Sequence, residues 1–558
     1  RRVQQLQEDG KRSRVGVNWK MDDEAEKSGL VFFGRTGEEL DDPGIKLFQT
    51  LGCGGGTLDF DRDGWQDVYL AAAGGMPPER DSKPNQLFRN LEGRFMAVAK
   101  QARVGDTGFA QGIAVGDVNS DGFPDLLVLN YGPNRLFLNQ GDGQFQDASA
   151  RLPSEPYDEW STCGGIADLD GDGLADLFFV NYCSGLGPVI QSCHARGTCS
   201  PMVFGACDDR IVQNSGDGSF QDQTNNWMEN QIAGRGLGLV IGPLDDLAGN
   251  DCYVANDMTN NHLYLPRRDP SMSQMGEQAM VVGVAGDDRG IPQGSMGIAT
   301  GDFEGDGDLD FFATNFDGEY HTLYVQDSPG IWQDRTAAGD LISSTLPHVG
   351  FGTEAIDIDN DGSIELALLN GHVDIFSRAG KDVKYRQPVQ LFNQVKPLDF
   401  REVNSETLGE YFQREHVGRS LWTIDANRDG KIDLLATHQT EPVALLINQT
   451  PTENSWMRVE LVGTNSNRDA IGSKVTLEIA GKSLAGFRVA AGGFQCSNER
   501  FLHFGLGKVD GLVGSATATV IWPNGIEESF GDLPLNQVST LCEGNGDGLD
   551  GQLGGKYP

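Results

Sequence analysis

Six short acidic segments of the chain share the pattern D-x-[D/N/E]-x-D-G-x-x-[D/E]. They occupy residues 59–67, 117–125, 168–176, 302–310, 357–365 and 425–433. Carboxylates at alternate positions, a glycine for a sharp turn and a closing acid can surround a hard cation with oxygen atoms. Ca²⁺ suits such a cage best, because it takes about six to eight oxygen ligands in flexible geometry. The sequence therefore predicts about six bound Ca²⁺ ions.

Within each loop, the predicted ligands are the side chains of the first, third, fifth and ninth residues and the backbone carbonyl of the seventh. Loop by loop, these residues are Asp59, Asp61, Asp63, Trp65, Asp67; Asp117, Asn119, Asp121, Phe123, Asp125; Asp168, Asp170, Asp172, Leu174, Asp176; Asp302, Glu304, Asp306, Asp308, Asp310; Asp357, Asp359, Asp361, Ser363, Glu365; and Asp425, Asn427, Asp429, Lys431, Asp433. Each loop is named below after its first aspartate. A solvated acidic turn is the alternative for a single copy, but six copies favour metal.

The elements that flank these loops are predicted to be strands. An EF-hand shares the opening D-x-D-x-D-G, but it needs flanking helices and a glutamate at position 12 of its loop. Here Gly112–Gly116 precedes the Asp117 loop and Leu126–Asn130 follows it, and both are short apolar runs typical of β-structure. Each copy is therefore predicted to be a β-hairpin whose turn binds calcium.

Each repeat continues with two further strands. The third carries N-x-L-F-x-N, as in Asn85–Asn90 and Asn134–Asn139, and the fourth opens with an aromatic residue such as Phe145. Four antiparallel strands per repeat are typical of a propeller blade. The long interval between Asp168 and Asp302 contains PLDDLAGND at residues 243–251. This degenerate copy predicts a seventh blade with a weak or absent metal site.

We predict an all-β protein made of four parts. Residues 1–24 form an N-terminal arm, and residues 25–452 form a seven-bladed β-propeller that an N-terminal strand closes. Residues 453–543 form a small β-sandwich-like domain, because the acidic loops stop there and alternating strands such as Trp456–Val462 begin. Residues 544–558 form a tail rich in Gly and Asp.

Charge and composition restrict the partners and the compartment. The 558 residues include 81 acids and 43 bases, giving a formal net charge of −38. Such a chain is a poor partner for nucleic acid or anionic lipid. No apolar run approaches the roughly 18 residues of a membrane helix. Calcium loops of this kind usually work at extracellular calcium concentrations, which predicts a secreted, periplasmic or cell-surface protein. The chain starts at Arg1 without a methionine, in keeping with a removed leader.

Four of the nine cysteines cluster in an insertion of the third repeat, between residues 181 and 210. They are Cys183, Cys193, Cys199 and Cys207. A metal knuckle or a redox pair is one interpretation, but the spacing matches no common zinc pattern. We predict a surface loop stapled by disulfides, with pairing that the sequence leaves open.

The repeats resemble the FG-GAP/VCBS calcium repeats of integrin α-subunit-type propellers. Four segments after the propeller resemble the ASPIC/UnbV domain of the cartilage acidic protein-like family, including its bacterial members. They are Gly463–Gly472, Gly492–Phe494, Leu502–Gly507 and Trp522–Gly525. The resemblance covers roughly residues 25–542. It implies an exported calcium-binding propeller with a role in adhesion or matrix association.

Catalytic residues on propellers usually lie at the mouth of the central channel. The sequence places Glu159, Arg235, His348 and His416 there as weak candidates. His348 and His416 open His-Val-Gly in adjacent repeats and could bind a metal or move a proton, but structural imidazoles bonded to carbonyls are favoured. Cys53 and Cys163, each followed by Gly-Gly, are likewise interpreted as buried small residues.

The sequence therefore favours a binding or adhesion module. It predicts a protein or glycan partner on the propeller face, or other chains of an extracellular assembly. The alternative is an enzyme with an active site at the channel mouth, although the sequence has no nucleophile elbow, P-loop or zincin motif.

Overall fold

The computed structural model describes residues 14–34, 46–193, 198–229, 231–266, 275–374, 383–509 and 515–548. Most of the predicted arm and tail lies outside these ranges. The chain is built from β-strands, and the all-β prediction is confirmed. The described helices are single turns, so none of them is long and apolar enough to span a membrane. The α-helical turns are Ala25–Ser28, Ala99–Ala102, Gly187–Ile190, Thr224–Trp227, Ala279–Val282 and Ile342–Thr345, and the 3₁₀ turns are Leu47–Gln49, Ser149–Arg151, Pro201–Val203, Ser405–Thr407 and Tyr411–Gln413.

Seven sheets, each built on four antiparallel strands, follow one another along the described chain, and we number them sheet 1 to sheet 7. Sheets 1 to 3 contain Gly55–Leu58, Asp67–Leu70, Gln86–Asn90 and Phe95–Ala97; Phe109–Gly116, Asp125–Tyr131, Arg135–Asn139 and Phe145–Asp147; and Ser161–Ala167, Asp176–Asn181, Arg210–Asn214 and Phe220–Asp222. Sheets 4 to 6 contain Gly236–Gly242, Asp251–Asn256, His262–Pro266 and Met275–Glu277; Ile298–Gly301, Asp310–Ala313, Thr322–Ser328 and Ile331–Asp334; and Gly350–Ile356, Glu365–Asn370, Gln390–Lys396 and Asp399–Glu402. Sheet 7 contains Gly418–Ile424, Asp433–His438, Ala444–Asn448 and Met21–Asp23.

The first strand of each sheet lies beside the first strand of the next, and that of sheet 7 lies beside that of sheet 1. Apolar side chains between neighbouring sheets are buried, as in the cluster that joins sheets 6 and 7. Four-stranded sheets packed in this way form a propeller. The number of blades stays a prediction that this grouping supports.

The N-terminal segment completes sheet 7. Met21–Asp23 pairs with the third strand of that sheet, with Met21 opposite Asn448. This strand lies inside the segment that the sequence predicted as an arm. Its side chains explain the difference, because Met21 is fully buried in the cluster shared by sheets 6 and 7. Met21–Asp23 therefore covers the edge that sheet 7 would otherwise leave open.

The C-terminal domain, predicted as residues 453–543, consists of two sheets that share one apolar cluster, and its strand Asp547–Gly548 lies in the segment predicted as the tail. One sheet contains Leu502–Gly507, Ser455–Val462 and Val538–Cys542, and the other contains Lys482–Phe487, Lys474–Ile479, Ser515–Ile521, Glu527–Pro534 and Asp547–Gly548. The sandwich-like prediction is thereby confirmed. A further two-stranded sheet, Gln387–Pro388 with Glu415–His416, joins sheets 6 and 7.

One segment of the C-terminal domain enters the ring of sheets. We define residues 489–499 as the channel segment. Its Ala490–Ala491 pairs with the first strand of sheet 4, and the same sheet also gains Met228–Glu229 at its other edge. Gly493 exchanges backbone hydrogen bonds with Ile298 of sheet 5. Further hydrogen bonds reach Thr57, Ile113, Glu354 and Leu421 of sheets 1, 2, 6 and 7. The channel segment thus occupies the centre of the ring.

Candidate metal centres

Every predicted loop is the tip of the hairpin between the first two strands of its sheet. The closing acid is the first residue of the second strand and lies opposite the residue that precedes the first aspartate, as in Ala167 opposite Asp176. The loop glycine has a positive φ in all six copies, between 77° and 95°. Only glycine adopts that backbone without strain, so the glycine is required by the turn itself. The hairpin prediction therefore agrees with the structure at each loop.

The Asp168 loop illustrates how the acids hold the turn. The two carboxylate oxygens of Asp168 accept hydrogen bonds from the N–H groups of Gly171 and Gly173, at 2.7 and 2.9 Å. The Asp176 carboxylate accepts one from Leu169 at 3.0 Å and one from Asn214 at 2.9 Å. In the other five loops the closing acid likewise accepts a hydrogen bond from the N–H of the second loop residue. The first and ninth acids thus fix the backbone, and the remaining oxygens face the turn.

Carboxylate oxygens converge most closely in three of the loops. The atoms lie within 4.8 Å of one another in the sets Asp59, Asp61, Asp67; Asp168, Asp170, Asp176; and Asp357, Asp359, Asp361. The third-position acids Asp61 and Asp359 each keep one buried oxygen without a hydrogen-bond partner. A buried, unpaired carboxylate oxygen is costly, and a cation would satisfy it. The donor set is all oxygen, which fits Ca²⁺.

The other three loops are arranged differently. Asn119 and Asn427 occupy the third position of the Asp117 and Asp425 loops, and their amides donate to the fifth-position acids at 3.0 and 3.4 Å. In the Asp302 loop, burial followed by a hydrogen bond with Asp306 raises the pKa of Glu304 to about 7. These loops hold the predicted ligands in one turn, but no three of their described carboxylates converge within 4.8 Å.

The seventh residue of each loop was predicted to offer its carbonyl. In all six loops its N–H donates to the fifth-position acid, as from Leu174 to Asp172 at 2.8 Å. This bond fixes the orientation of the peptide, and the ligand role of the carbonyl stays a prediction. The Lys431 ammonium also lies 3.1 Å from the Asp429 carboxylate, inside its own loop.

Burial raises the pKa of the closing acids in the absence of metal. The pKa of Asp125, Asp176 and Asp310 is raised to about 8 by burial, against the lowering effect of their backbone hydrogen bonds. Burial raises that of Asp67 to about 9. A bound divalent cation favours the ionised form, so metal binding and deprotonation of these acids are linked.

Sheet 4 carries the degenerate loop. Its Asp251 keeps the place of the closing acid and accepts hydrogen bonds from Leu244 and Asp245, both at 2.9 Å. The turn is thus retained without the full set of ligands. The weak or absent metal site predicted there stays a prediction.

The sequence analysis gave no role to the last asparagine of N-x-L-F-x-N, and the structure supplies one. The Asn139 amide donates to the carbonyl of Phe60 in the preceding loop at 2.8 Å and to that of Pro124 in its own loop at 3.2 Å. Asn90, Asn214 and Asn448 make the same link between neighbouring loops. We call these loop-to-loop hydrogen bonds the asparagine belt. The recurrence of this asparagine in the repeats was the sequence signal that could have predicted it.

The C-terminal domain lies against the side of the ring that carries the loops. His503 Nε2 lies 2.8 Å from Asn360 Oδ1 in the Asp357 loop. Lys474 contacts Asp308 of the Asp302 loop at 3.6 Å and Asp246 of sheet 4 at 3.0 Å. Arg458 and Arg468 reach the Asp425 and Asp117 loops. The loops are thus an intramolecular contact surface.

The catalytic candidates have structural partners. Glu159 pairs with Arg210 at 3.1 Å, and Arg235 donates to the carbonyls of Pro201 and Phe204 at 3.2 and 2.8 Å. These two carbonyls belong to the insertion, which covers this end of the ring. The candidate roles in catalysis stay predictions.

The two histidines have different surroundings. The rings of His416 and Tyr411 stack at 4.2 Å, and His416 Nδ1 lies 2.9 Å from Glu441 Oε2. Burial lowers the pKa of His348 to about 4. His348 lies close enough to His321 for its charge to lower the pKa of that residue further. The structure thus gives each imidazole a separate set of neighbours.

Cysteine pairing is settled in part. Cys193 and Cys199 form a disulfide, so the disulfide prediction is confirmed for this pair. The thiols of Cys163, Cys183 and Cys207 are free, and the side chains of Cys53 and Cys163 are buried. Burial raises the pKa of the Cys163 thiol to about 12, which makes it unreactive at neutral pH.

The architecture and the loops define a propeller-type module with a docked C-terminal β domain. Comparison with known families agrees. The FG-GAP-like repeat family matches residues 59–128 and 117–179, and the ASPIC and UnbV family matches residues 463–548. The chain therefore contains FG-GAP-like repeats followed by an ASPIC and UnbV domain.

At the level of whole proteins, the chain is similar to cartilage acidic protein 1. It is 25% identical to the Xenopus tropicalis protein over 526 residues, which cover 88% of this chain and 74% of that protein. It is 24% identical to the Mus musculus protein over 539 residues, with 83% and 75% covered. The similarity extends across both the repeats and the C-terminal domain.

Solved structures are less similar. The BBS1N protein in complex with ARL6DN gives a TM-score of 0.42 at 11% identity, covering 78% of this chain and 98% of that chain. An Agrocybe aegerita protein that recognises non-reducing terminal N-acetylglucosamine gives 0.37 at 12% identity, covering 71% and 94%. The fold described above rests on the sheets themselves.

Two substitutions in the Asp168 loop separate the backbone role of an acid from its metal role. Asp176→Ala leaves the N–H groups of Leu169 and Asn214 buried without an acceptor, so we expect the free energy of unfolding to fall by about 2–5 kcal/mol in EDTA and in calcium. Asp170→Asn keeps an oxygen for the Asp172 N–H but loses the acceptor of the Gln213 amide and one charge, so we expect a small loss in EDTA and a larger one in calcium. Denaturant titrations in both buffers measure this, and equal losses for Asp170→Asn in both would contradict it.

We expect the metal-free chain to lose stability as the pH rises. The pKa of Asp125, Asp176 and Asp310 is about 8 in the folded chain and 3.8 in the reference state, so the folded chain holds protons that the unfolded chain has released. The free energy of unfolding therefore falls from about pH 4 to about pH 8 in EDTA. Saturating calcium should flatten or reverse this trend. Melting curves across that range test it, and a melting temperature that rises with pH in EDTA would contradict it.

Proposed function

We propose that this chain is an exported, calcium-stabilised propeller module that binds a protein or glycan partner. The observation that carries the calcium proposal is the pair of orphaned oxygens on Asp61 and Asp359, each in a loop where three carboxylates converge within 4.8 Å. A bound Ca²⁺ would give these oxygens a partner and offset the repulsion among the acids. The chain's own residues hold the turn, and the ion would supply the missing positive charge.

The overall charge supports the same proposal. The formal net charge is −38, and the loops gather many of the acids at one side of the ring. Like charges at such short separation oppose folding. About six divalent ions would remove much of this repulsion, because each would carry two positive charges into a turn that already has the oxygen ligands.

Export is supported by the Cys193–Cys199 disulfide and by the similarity to cartilage acidic protein 1. Structural disulfides persist in oxidising compartments and are rare in the cytosol. Loops of this kind also match calcium concentrations found outside cells.

We place the proposed partner surface on the side of the ring away from the loops. The loop side already contacts the C-terminal domain. The insertion on the other side exposes Ile190, Met202 and Val203, with 72%, 52% and 51% of their surface accessible. Exposed apolar side chains grouped on one loop favour a protein or glycan contact. The partners of Glu159, Arg235 and His416 favour this binding role over catalysis at the channel mouth.

Calcium titration tests the metal proposal. We expect isothermal calorimetry on the EDTA-stripped full chain to give about six ions per chain and the melting temperature to rise with calcium. Mg²⁺ at the same concentration is the control, because it demands a tighter octahedral site and should stabilise less. A stoichiometry of zero or one would refute the repeat of metal sites.

A matched pair of variants tests the partner surface. We expect Met202→Ser with Val203→Ser to weaken binding to whichever glycan or matrix protein of an immobilised panel retains the wild-type chain. Met96→Ser is the control, because Met96 is 49% exposed on the fourth strand of sheet 1. An equal loss for both variants, or unchanged binding of the double variant, would exclude this surface.

A further inference from the structure

The C-terminal domain contacts two of the six loops through the same pair of interactions, an ion pair and a backbone hydrogen bond. In the Asp117 loop, Arg468 Nε lies 3.4 Å from Asp117 Oδ2. The backbone N–H of Asp117 donates to the Asp469 carboxylate at 2.8 Å. An arginine thus holds the side chain of the first loop acid while an acid holds its backbone.

The Asp425 loop shows the same arrangement with other residues. Arg458 Nη1 lies 3.1 Å from Asp425 Oδ2, and the Asp425 N–H donates to the Glu499 carboxylate at 3.0 Å. Arg458 also pairs with Glu499 at 2.9 Å, and both of these side chains are 3% exposed. Residues far apart in the C-terminal domain therefore repeat one contact on two different loops.

These two loops are also the ones with a neutral third residue, Asn119 and Asn427. Each has one carboxylate fewer than the Asp168 and Asp357 loops and an arginine on its first ligand. Among the described residues, no lysine or arginine forms an ion pair with an acid of the Asp168 or Asp357 loops. The Asp59 loop has Arg89 on Asp61 at 2.6 Å, from its own sheet rather than from the C-terminal domain.

We propose that Arg468 and Arg458 lower the calcium affinity of the Asp117 and Asp425 loops and link metal binding there to docking of the C-terminal domain. This rests on the proposed calcium function. An arginine on a ligand carboxylate lies a few ångströms from the ion and repels it. Because linkage is reciprocal, calcium in these loops weakens the arginine contacts by the same factor. The Asp168 and Asp357 loops fill first and the arginine-held loops fill last.

Both arginines act among other charges. Around Asp117, Arg500 pairs with Asp469 and is also influenced by Glu460 and Arg62. In the Asp425 loop, Lys431 pairs with Asp429. Among the ion pairs of the described residues, Arg468 pairs with Asp117 alone whereas Arg458 also pairs with Glu499, so Arg468 gives the simpler variant for a test.

Calorimetry on the full chain tests the proposal with Ca²⁺ alone. Arg468→Gln is expected to tighten one of the weak sites about tenfold, the effect of removing a unit charge about 6 Å from a divalent ion in a water-like dielectric. Arg468→Lys keeps the charge and should retain the wild-type affinities. Adding Asp121→Ala, which removes a ligand of the same loop, should abolish the gain. Lys384→Gln is the control, because its ion pair with Glu415 is exposed and does not involve a loop.

The outcomes separate this proposal from the proposed function. A wild-type chain that binds no calcium refutes both. A wild-type chain that binds calcium, together with Arg468→Gln affinities that are unchanged or weaker, refutes only the role of the arginine. A second readout is hydrogen exchange, measured in EDTA, at the backbone amides of Asp121 and Gly122, because both amides donate to the Asp117 carboxylate. It should accelerate in Arg468→Gln and not in Lys384→Gln, and equal rates in both would count against the contact.

Discussion

This propeller depends on the hydrogen bonds that a buried carboxylate accepts at the end of each loop. The carboxylate accepts one N–H from the second residue of its loop and, in five of the six loops, one from the third strand, so it ties three parts of those sheets together. Its burial is costly for an ionised group, which is why its pKa is raised without metal. The carboxylate that holds the turn through its hydrogen bonds is thus also the predicted ligand for a cation.

The asparagine belt extends this interaction around the ring. Asn139 joins the loop of sheet 2 to the loop of sheet 1, and Asn448 joins sheet 7 to sheet 6. Gln394 makes the corresponding link from sheet 6 to sheet 5 at 2.7 Å. Because hydrogen bonds join each of these loops to its neighbour, a conformational change in one turn alters the contacts of the next. The C-terminal domain therefore packs on a set of connected loops.

Local patterns in the sequence were sufficient for the repeated parts. The loops, the strands beside them and the change of character near residue 453 all depend on residues close together in the chain, so spacing alone predicts them. The sequence analysis assigned Met21–Asp23 to the arm because this strand is buried by side chains of sheets 6 and 7, which come last in the propeller sequence. The pairing of Cys193 with Cys199 was open for a similar reason, since four cysteines allow several connectivities. Arg468 contacts Asp117, which lies hundreds of residues away in the sequence, whereas Arg458 contacts Asp425, which lies only tens of residues away; no periodic pattern predicts either contact.

The channel segment has a consequence for how the protein is made. Its residues 489–499 lie in the centre of the ring and contact all seven sheets, yet they leave the ribosome after all seven have been synthesised. The centre of the ring can therefore be filled only after the C-terminal domain has been synthesised. A gene fragment ending near residue 452 would encode the seven sheets without the channel segment. Exchange of C-terminal domains between related proteins would have to conserve the shape of that segment.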